Sequence, residues 1–348
     1  MVENLFISNF KKAIVFLIKI AFFILFMLPL VYFLGNKYAA ATTENKVNAY
    51  NQQRWEEFYS LPKGSIDMVF LGSSHSYCTF DPEIIDKELG TNSYQMGMPL
   101  QHMDSTYYTF KEVLNYQAPK TVVVEVYWDM LDDKFELTQA GYLFQVMQNK
   151  QLEQEYIKEV FPLSEKFKYN INIFRYQQDY FAYRNARLKE KLENKFSVYI
   201  PQGDKQTGIE KYGTKGYIYS NYNMLPDEFD KTNQYKELDG SNWEYENTQV
   251  NYLFKISDYC NQNDIGLVLV TAPIANVSMD YIKDYSSINA KISDIAKKCN
   301  AQYLDFNIVN LEEKILDNDN FRDDAHLNHS GAIIVNKYFT KWLNKIYK

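Results

Sequence analysis

The stretch Ile66-Asp67-Met68-Val69-Phe70-Leu71-Gly72-Ser73-Ser74-His75-Ser76 decides how this chain folds. A short apolar run, read as a buried strand over 66–71, ends in a small, hydroxyl-rich turn. Asp81-Pro82-Glu83 then reads as a helix start, with Asp81 as N-cap, Pro82 at N1 and Glu83 complementing the dipole, and Gly90 fits the C-cap. Ile84, Ile85 and Leu89 form the inward face of that helix. A strand that hands a serine to a helix start places the hydroxyl at the carboxyl edge of a parallel sheet, where ligands bind in open α/β folds.

Working outward, the same strand–helix rhythm recurs. Thr91–Met98 reads as a second strand ending at Gly97, and His102–Tyr116 as a helix capped by Asp104 with Tyr107, Phe110, Val113 and Leu114 on one side. Thr121–Trp128 is the clearest strand, and its near-continuous apolar character suits a strand covered on both faces. Glu125 within it is costly unless paired, either at the rim or as a structural hydrogen-bonding group. After a long interruption come a helix at 248–262, a strand at Gly266–Thr271 closed by Pro273, a helix at 279–298, a strand at Gln302–Phe306 and a final helix at 330–346 capped by Ser330. Five β segments alternating with helices predict an α/β three-layer sandwich on a five-stranded parallel sheet, in the order 2-1-3-4-5 with right-handed crossovers.

The interruption, about 130–247, reads as an insertion, mostly helical (149–160 and 171–195) and then irregular. Its aromatics (Phe174, Tyr176, Tyr180, Phe181, Tyr183, Tyr217, Tyr219, Tyr222 and Trp243) either stack on sugar rings or serve packing. Residues 184–191 read as a solvated helix face. At the N-terminus, Ala13–Leu34 is apolar except for Lys19, near the ~20 residues that span a bilayer. Lys11 and Lys12 before it favour a cytoplasmic tail (1–12), a transmembrane anchor (13–35), a stalk and first helix (36–62), and an exported body (63–348). A cleaved signal peptide ending near Tyr38-Ala39-Ala40-Ala41 is the competing reading.

The formal net charge is -7, and residues 1–41 carry four lysines against Glu3, a local +3, so the remainder carries -10. An acidic body argues against nucleic acid as a partner, because phosphate binding draws on Lys and Arg. Cys78, Cys260 and Cys299 are too few and odd in number for a disulfide framework. A Cys260–Cys299 bridge is geometrically open, and unpaired, part-buried thiols are favoured. No Cys/His spacing supports zinc, Asp317-Asn318-Asp319 lacks the remaining features of a calcium loop, and no cofactor is expected.

A serine hydroxyl is a poor nucleophile until a base takes its proton. The chain has four histidines, two of them in Asp323-Asp324-Ala325-His326-Leu327-Asn328-His329. His326 is the expected base, and Asp323, three residues earlier, the group that orients it. Asp324 is a rival to Asp323, His75 is expected not to be catalytic, and His329 to sit exposed at a helix start. Ser74, Gly97, Trp128–Asp129, Pro273–Asn276 and Asp323–His326 all follow strand ends and converge on one rim. The N–H groups of Ser74 and Gly97 are candidate oxyanion donors, and Trp128 and Asn276 candidate substrate contacts.

Gly72-Ser73-Ser74-His75-Ser76 after strand one, Gly97 after strand two, and Asp323-x-x-His326-Leu327-Asn328-x-x-Gly331-Ala332 near the end resemble the SGNH/GDSL hydrolase superfamily. The resemblance is strongest to its membrane-anchored branch, which includes the D-alanyl-lipoteichoic acid transfer proteins (DltD-like) and exopolysaccharide O-acetyltransferases. It covers roughly 64–129 and 248–348, and leaves the insertion without a motif. It implies a flavodoxin-like sheet, Ser74 as nucleophile, His326 as base, Asp323 as its partner and Gly97 as an oxyanion donor. Ser73 stands where the family's Gly-Asp-Ser form has Asp, and the family's Gly-x-Asn-Asp block is replaced by Tyr127-Trp128-Asp129-Met130. The activity implied is transfer of an acyl group, most simply acetyl, to a cell-surface polysaccharide, with a polytopic MBOAT-type protein as acyl donor. An esterase with the same triad is the alternative, and a non-catalytic assembly protein on the same scaffold is the third.

Overall fold

The computed structural model describes residues 2–43, 49–132, 134–144, 146–177, 180–181, 184, 210–225 and 234–346. The chain divides into two compact units. One comprises Met1–Val47 with Ile157–Gln202, the other Asn48–Tyr156 with Gly203–Lys348. The expected single insertion at 130–247 is therefore shared between the two.

The larger unit is built on a five-stranded parallel sheet, from β1 (Met68–Leu71), β2 (Ser93–Gln95), β3 (Thr121–Glu125), β6 (Gly266–Thr271) and β7 (Gln302–Asp305). Their order, β2-β1-β3-β6-β7, is the predicted 2-1-3-4-5. Register runs Met68 opposite Thr121 through Leu71 opposite Val124, and Glu125 opposite Val270. The chain reverses its direction of travel across the sheet between β1 and β3. Such a switch point leaves a crevice beyond the carboxyl ends of those two strands, and Ser73–Ser74 and Val126–Trp128 follow them there.

Alternation of side chains puts Met68, Phe70, Val123, Val268, Val270 and Leu304 on one face. They pack with Ile85 of α4 (Pro82–Leu89) and with Val335, Phe339 and Leu343 of α14 (His329–Ile346). The opposite face is covered by α5 (Met103–Leu114) and α10 (Asn247–Gln262), which pack on each other. Phe70 stacks on Phe80 at 5.1 Å between centroids, and Phe339 closes on Phe80 at the same distance. Each fully buried aromatic contributes about 2–3 kcal/mol.

Local signals decide the boundaries. Asp81 caps α4 by accepting from the Glu83 N–H, and Gly90 closes it in the left-handed conformation, both as expected. Other boundaries move. β2 is shorter than 91–98. Asp104 lies in the first turn of α5, with His102 at the cap position and no side-chain cap bond. Asn328, not Ser330, caps α14, its Oδ1 accepting from Gly331 N and Ser330 Oγ. Phe306 does not extend β7: Asp305 accepts from Asn307 N and starts α13 (Phe306–Glu313). The helix expected at 279–298 is split into α11 (Asn276–Met279) and α12 (Tyr285–Lys298). Within the insertion, α6 (Trp128–Asp132), α7 (Leu137–Phe144) and an antiparallel hairpin of β4 (Glu210–Tyr212) and β5 (Ile218–Ser220) belong to this unit. So does α2 (Ala49–Ser60), close to the expected first helix. The three cysteines are buried free thiols.

The smaller unit carries α1 (Val2–Thr43), whose stretch Phe10–Ala39 is long and apolar enough to cross a membrane, with mean hydropathy 2.8. A signal sequence passes the same test. This unit also holds α9 (Leu163–Asn170) and a helical turn at 172–177, while α8 (Lys150–Val160) runs from one unit into the other. Residues 185–195 of the expected second insertion helix lie outside the described residues, as do Tyr183 and all but Arg184 of the charged run at 184–191.

Candidate active site

β1 delivers Gly72 with φ +134°, a conformation L side chains rarely adopt, and a Cβ there would lie 2.7 Å from the Cβ of Glu125. Only glycine lets the turn press against β3 at this point. Ser73 follows as N-cap of α3 (Ser74–Thr79), its Oγ accepting from His75 N at 3.2 Å. Ser74 thus opens α3, where the first N–H groups have no intrahelical partner. From Met68 to Pro82 every residue is buried except Ser74, which is part-exposed. The fold presents one hydroxyl out of an otherwise enclosed segment.

The partner loop is closed on itself. Phe321 and Leu327 form an antiparallel bridge, and Arg322 N donates to His326 O at 3.0 Å. Inside this loop Asp323 Oδ1 accepts from Ala325 N at 2.9 Å and from His326 N at 2.6 Å. The same carboxylate lies 2.9 and 3.0 Å from His326 Nδ1. His326 Nε2 lies 2.8 Å from Ser74 Oγ across 252 residues of sequence. With Nδ1–H donating to Asp323, Nε2 is left as the acceptor for the serine proton. Burial acts to raise the Asp323 pKa. The charge and hydrogen bond of His326, the Arg322 guanidinium and the Ala325 N–H outweigh it and hold the carboxyl well below its ordinary range. Asp324 is turned elsewhere: its Oδ2 accepts from Gln234 N and its carbonyl from Ser278 Oγ.

The structure brings Ser74, His326 and Asp323 together and sends three other predicted residues elsewhere. The Gly97 N–H donates to Gln95 Oε1 at 2.8 Å, so the expected oxyanion donor is already engaged. Gly97 is needed for a different reason: a Cβ there would lie 2.9 Å from Ser73 O and 3.1 Å from Gly72 O. Of the two expected donors, the Ser74 N–H remains. Trp128, the expected substrate contact, is 1% exposed, tilted against Tyr127 at 4.2 Å and edge-on to Tyr285. Asn276 spends its carboxamide within the scaffold, donating to Leu316 O and accepting from Asn310 Nδ2. His329 is part-exposed at the start of α14, its Nδ1 3.3 Å from the Tyr217 hydroxyl.

Three residues outside the predicted site set flank the triad. Glu125, fully buried, accepts from Ser73 N at 2.9 Å and Ser73 Oγ at 2.8 Å through Oε2, while Oε1 has no hydrogen-bond partner. Burial pushes its carboxyl up to about 7 against the pull of those two bonds. The His75 ring stacks between Tyr127 at 4.1 Å and His326 at 4.7 Å. Burial, together with the positive charges of His326 and Arg322, holds the His75 pKa well below its ordinary value. Arg322, whose side chain is 6% exposed, bridges Glu210 of the hairpin at 2.5 Å and Asp323 at 3.4 Å. Only Glu125 gave an advance signal, as a carboxylate in an apolar strand. Arg322 gave none, because its partner Glu210 lies 112 positions away in a region without periodicity.

No family model matches this chain, and no curated protein does. Among solved structures, a Bacteroides fragilis NCTC 9343 protein described as an acylhydrolase is similar at 13% identity and a TM-score of 0.40, covering 86% of this chain and 99% of its own. A GDSL-like lipase from Bacteroides thetaiotaomicron VPI-5482 is similar at 12% identity and a TM-score of 0.40, covering 86% of this chain and all of its own.

Proposed function

We propose that the chain is an exported, membrane-tethered serine O-acyltransferase that forms an acyl-Ser74 intermediate and passes the acyl group, most simply acetyl, to a hydroxyl of a cell-surface polysaccharide. The observation that carries the reading is the unbroken line Ser74 Oγ–His326 Nε2 at 2.8 Å and His326 Nδ1–Asp323 at 2.9 Å, ending in a part-exposed hydroxyl at the sheet's switch point.

In the first half-reaction Ser74 Oγ attacks the acyl carbonyl while its proton passes to His326 Nε2. Asp323 stabilises the imidazolium and fixes its tautomer. The oxyanion forms at the first-turn N–H of Ser74. Collapse expels the leaving oxygen or sulfur, which takes the proton from Nε2. In the second half-reaction an acceptor hydroxyl gives its proton to Nε2 and attacks the ester carbonyl; collapse breaks the acyl–Oγ bond, and Ser74 Oγ takes the proton back from Nε2. Water in place of the sugar hydroxyl makes the same site an esterase, so the two activities differ only in what enters the crevice.

The α1 helix supports the tether, with Lys11 and Lys12 on its cytoplasmic side. An exported transferase needs acyl groups brought across the bilayer, and a polytopic MBOAT-type donor in the same membrane fills that need.

The test is direct. A serine-directed fluorophosphonate should modify wild type at Ser74, located by peptide mass spectrometry, and leave Ser74→Ala unlabelled. Absence of label on the wild type, or equal label on the variant, removes the acyl-enzyme reading. With p-nitrophenyl acetate as donor, acetate recovered on an added oligosaccharide marks transfer, whereas acetate released only to water marks an esterase.

A further inference from the structure

Outside α1, eight large hydrophobic side chains are exposed among the described residues, and four of them, Leu163, Phe167, Phe174 and Phe181, fall within 163–181. Leu163 is 84% exposed and Phe167 65%. Four residues apart on α9, they share one face of the helix, and Phe167 meets Phe174 at 5.7 Å between rings. Exposed side chains of this size are costly to leave in water when they cluster.

The segment belongs to the unit that contains α1, and it meets that helix at one level. A Cβ on Gly35 would lie 2.8 Å from Ile173 N, Asn172 donates to Asn36 at 3.3 Å, and Tyr38 stacks on Tyr180 at 4.2 Å. At 1.5 Å per residue, Ala13–Leu34 extends about 33 Å, close to the ~30 Å of a bilayer's hydrocarbon core. On the reading of α1 as a membrane span, Gly35–Tyr38 stands where the helix leaves the hydrocarbon core. The residues packed there are those expected at a headgroup layer. Tyr38, Tyr169, Tyr176 and Tyr180 supply amphipathic rings, and Arg175 lies over Tyr176 at 5.0 Å and over Tyr169 at 5.9 Å.

We infer that residues 163–177, with Tyr180 and Phe181, form a shelf that lies in the lipid headgroup layer beside the exit of α1, with Leu163, Phe167 and Phe174 inserted into the bilayer surface. The inference rests on α1 spanning the membrane. It assigns the insertion's aromatics at 174–181 to lipid rather than to sugar. An interfacial helix of this kind sits about 5–10 Å into the headgroup and acyl boundary, and it gives the tether a second hold on the membrane.

The full chain in lipid nanodiscs tests this with an environment-sensitive fluorophore on single introduced cysteines; the three native cysteines are buried. Phe167→Cys is the probe site, Phe174→Cys the second should the first not fold, Phe23→Cys reports α1, and exposed Glu312→Cys on the larger unit is the water control. The expected result is a blue-shifted emission at 167 or 174 that is lost to doxyl-labelled lipid, with the label at 312 unaffected. If 23 is quenched while 167 and 174 match 312, the shelf is refuted and the anchor stands, and the apolar face is left for a protein partner. If 23 is also unquenched, the anchor reading fails and takes the shelf with it.

Discussion

Replacing Glu125 by glutamine separates the charge of a buried carboxyl from its shape. In the native chain this group takes both Ser73 bonds on Oε2 and leaves Oε1 without a partner. A glutamine oxygen can accept the same two bonds. The native carboxyl is lifted from an ordinary 4.5 to about 7, and at 1.36 kcal/mol per pH unit that gap is worth about 3 kcal/mol. Because the folded-state value lies above the unfolded one, the folded chain keeps this proton between 4.5 and 7 while the unfolded chain has released it. The stabilisation is thus fully present below pH 4.5 and is lost as pH rises through 7. Glu125→Gln has no such proton. The stability of the variant minus that of wild type should therefore climb by about 3 kcal/mol between pH 4 and pH 8. Taking the difference cancels the other carboxyls, including Asp323, whose contribution runs in the opposite sense. Urea unfolding of the full chain in detergent, followed by tryptophan emission at several pH values, reads the quantity directly. A difference that stays flat across that range would refute the claim that Glu125 carries a proton under the nucleophile turn.

Asp323→Asn keeps the loop's shape but presents an amide to His326 Nδ1; labelling of Ser74 by fluorophosphonate should slow by about 10²–10⁴-fold with the melting temperature little changed. Gly97→Ala drives a methyl into the carbonyls of Gly72 and Ser73, so kcat/KM on p-nitrophenyl acetate should fall about tenfold or more, equivalent to ~1.4 kcal/mol, with a smaller proportional effect on stability. Asn336→Ala removes the buried amide that donates to Thr79 O and Ala332 O and accepts from Asp81 N. Urea unfolding should show a loss of about 2–4 kcal/mol.

The parts of the molecule written in local chemistry could be read from the residues. Met68–Leu71 and Gly266–Thr271 are apolar runs bounded by turn residues, and both are strands; Asp81 and Gly90 cap as their types require. Ser74, Asp323 and His326 could be paired because a small turn after a strand and an Asp-x-x-His loop are both sequence-local, even though 252 residues separate them. What could not be read depended on which of several groups reaches a given atom first. The Gly97 N–H is taken by Gln95, two residues back on its own strand end, so a glycine suited to an oxyanion site serves close packing instead. Trp128 follows β3, a position that the sequence pattern puts at the rim, yet the aromatic wall of Tyr127, Tyr235 and Tyr285 encloses it. The hairpin at 210–220 has strands of three residues each, too short to show alternation. Asp305 is a strand end and a helix cap at once, which hid α13 behind β7.

The last helix has a bearing on when this chain can act. Asn336, in the middle of α14, holds Thr79 at the end of α3 and Asp81 at the start of α4, so the segment that carries Ser74 is pinned by a residue more than 250 positions later in the sequence. The base loop lies immediately upstream of that helix. A chain emerging N-terminus first presents Ser74 252 residues before His326, and Thr79 257 residues before the Asn336 that clamps it. All five strands of the sheet end by Asp305, so the sheet is encoded before the Ser74–His326–Asp323 line and the Asn336 clamp can form.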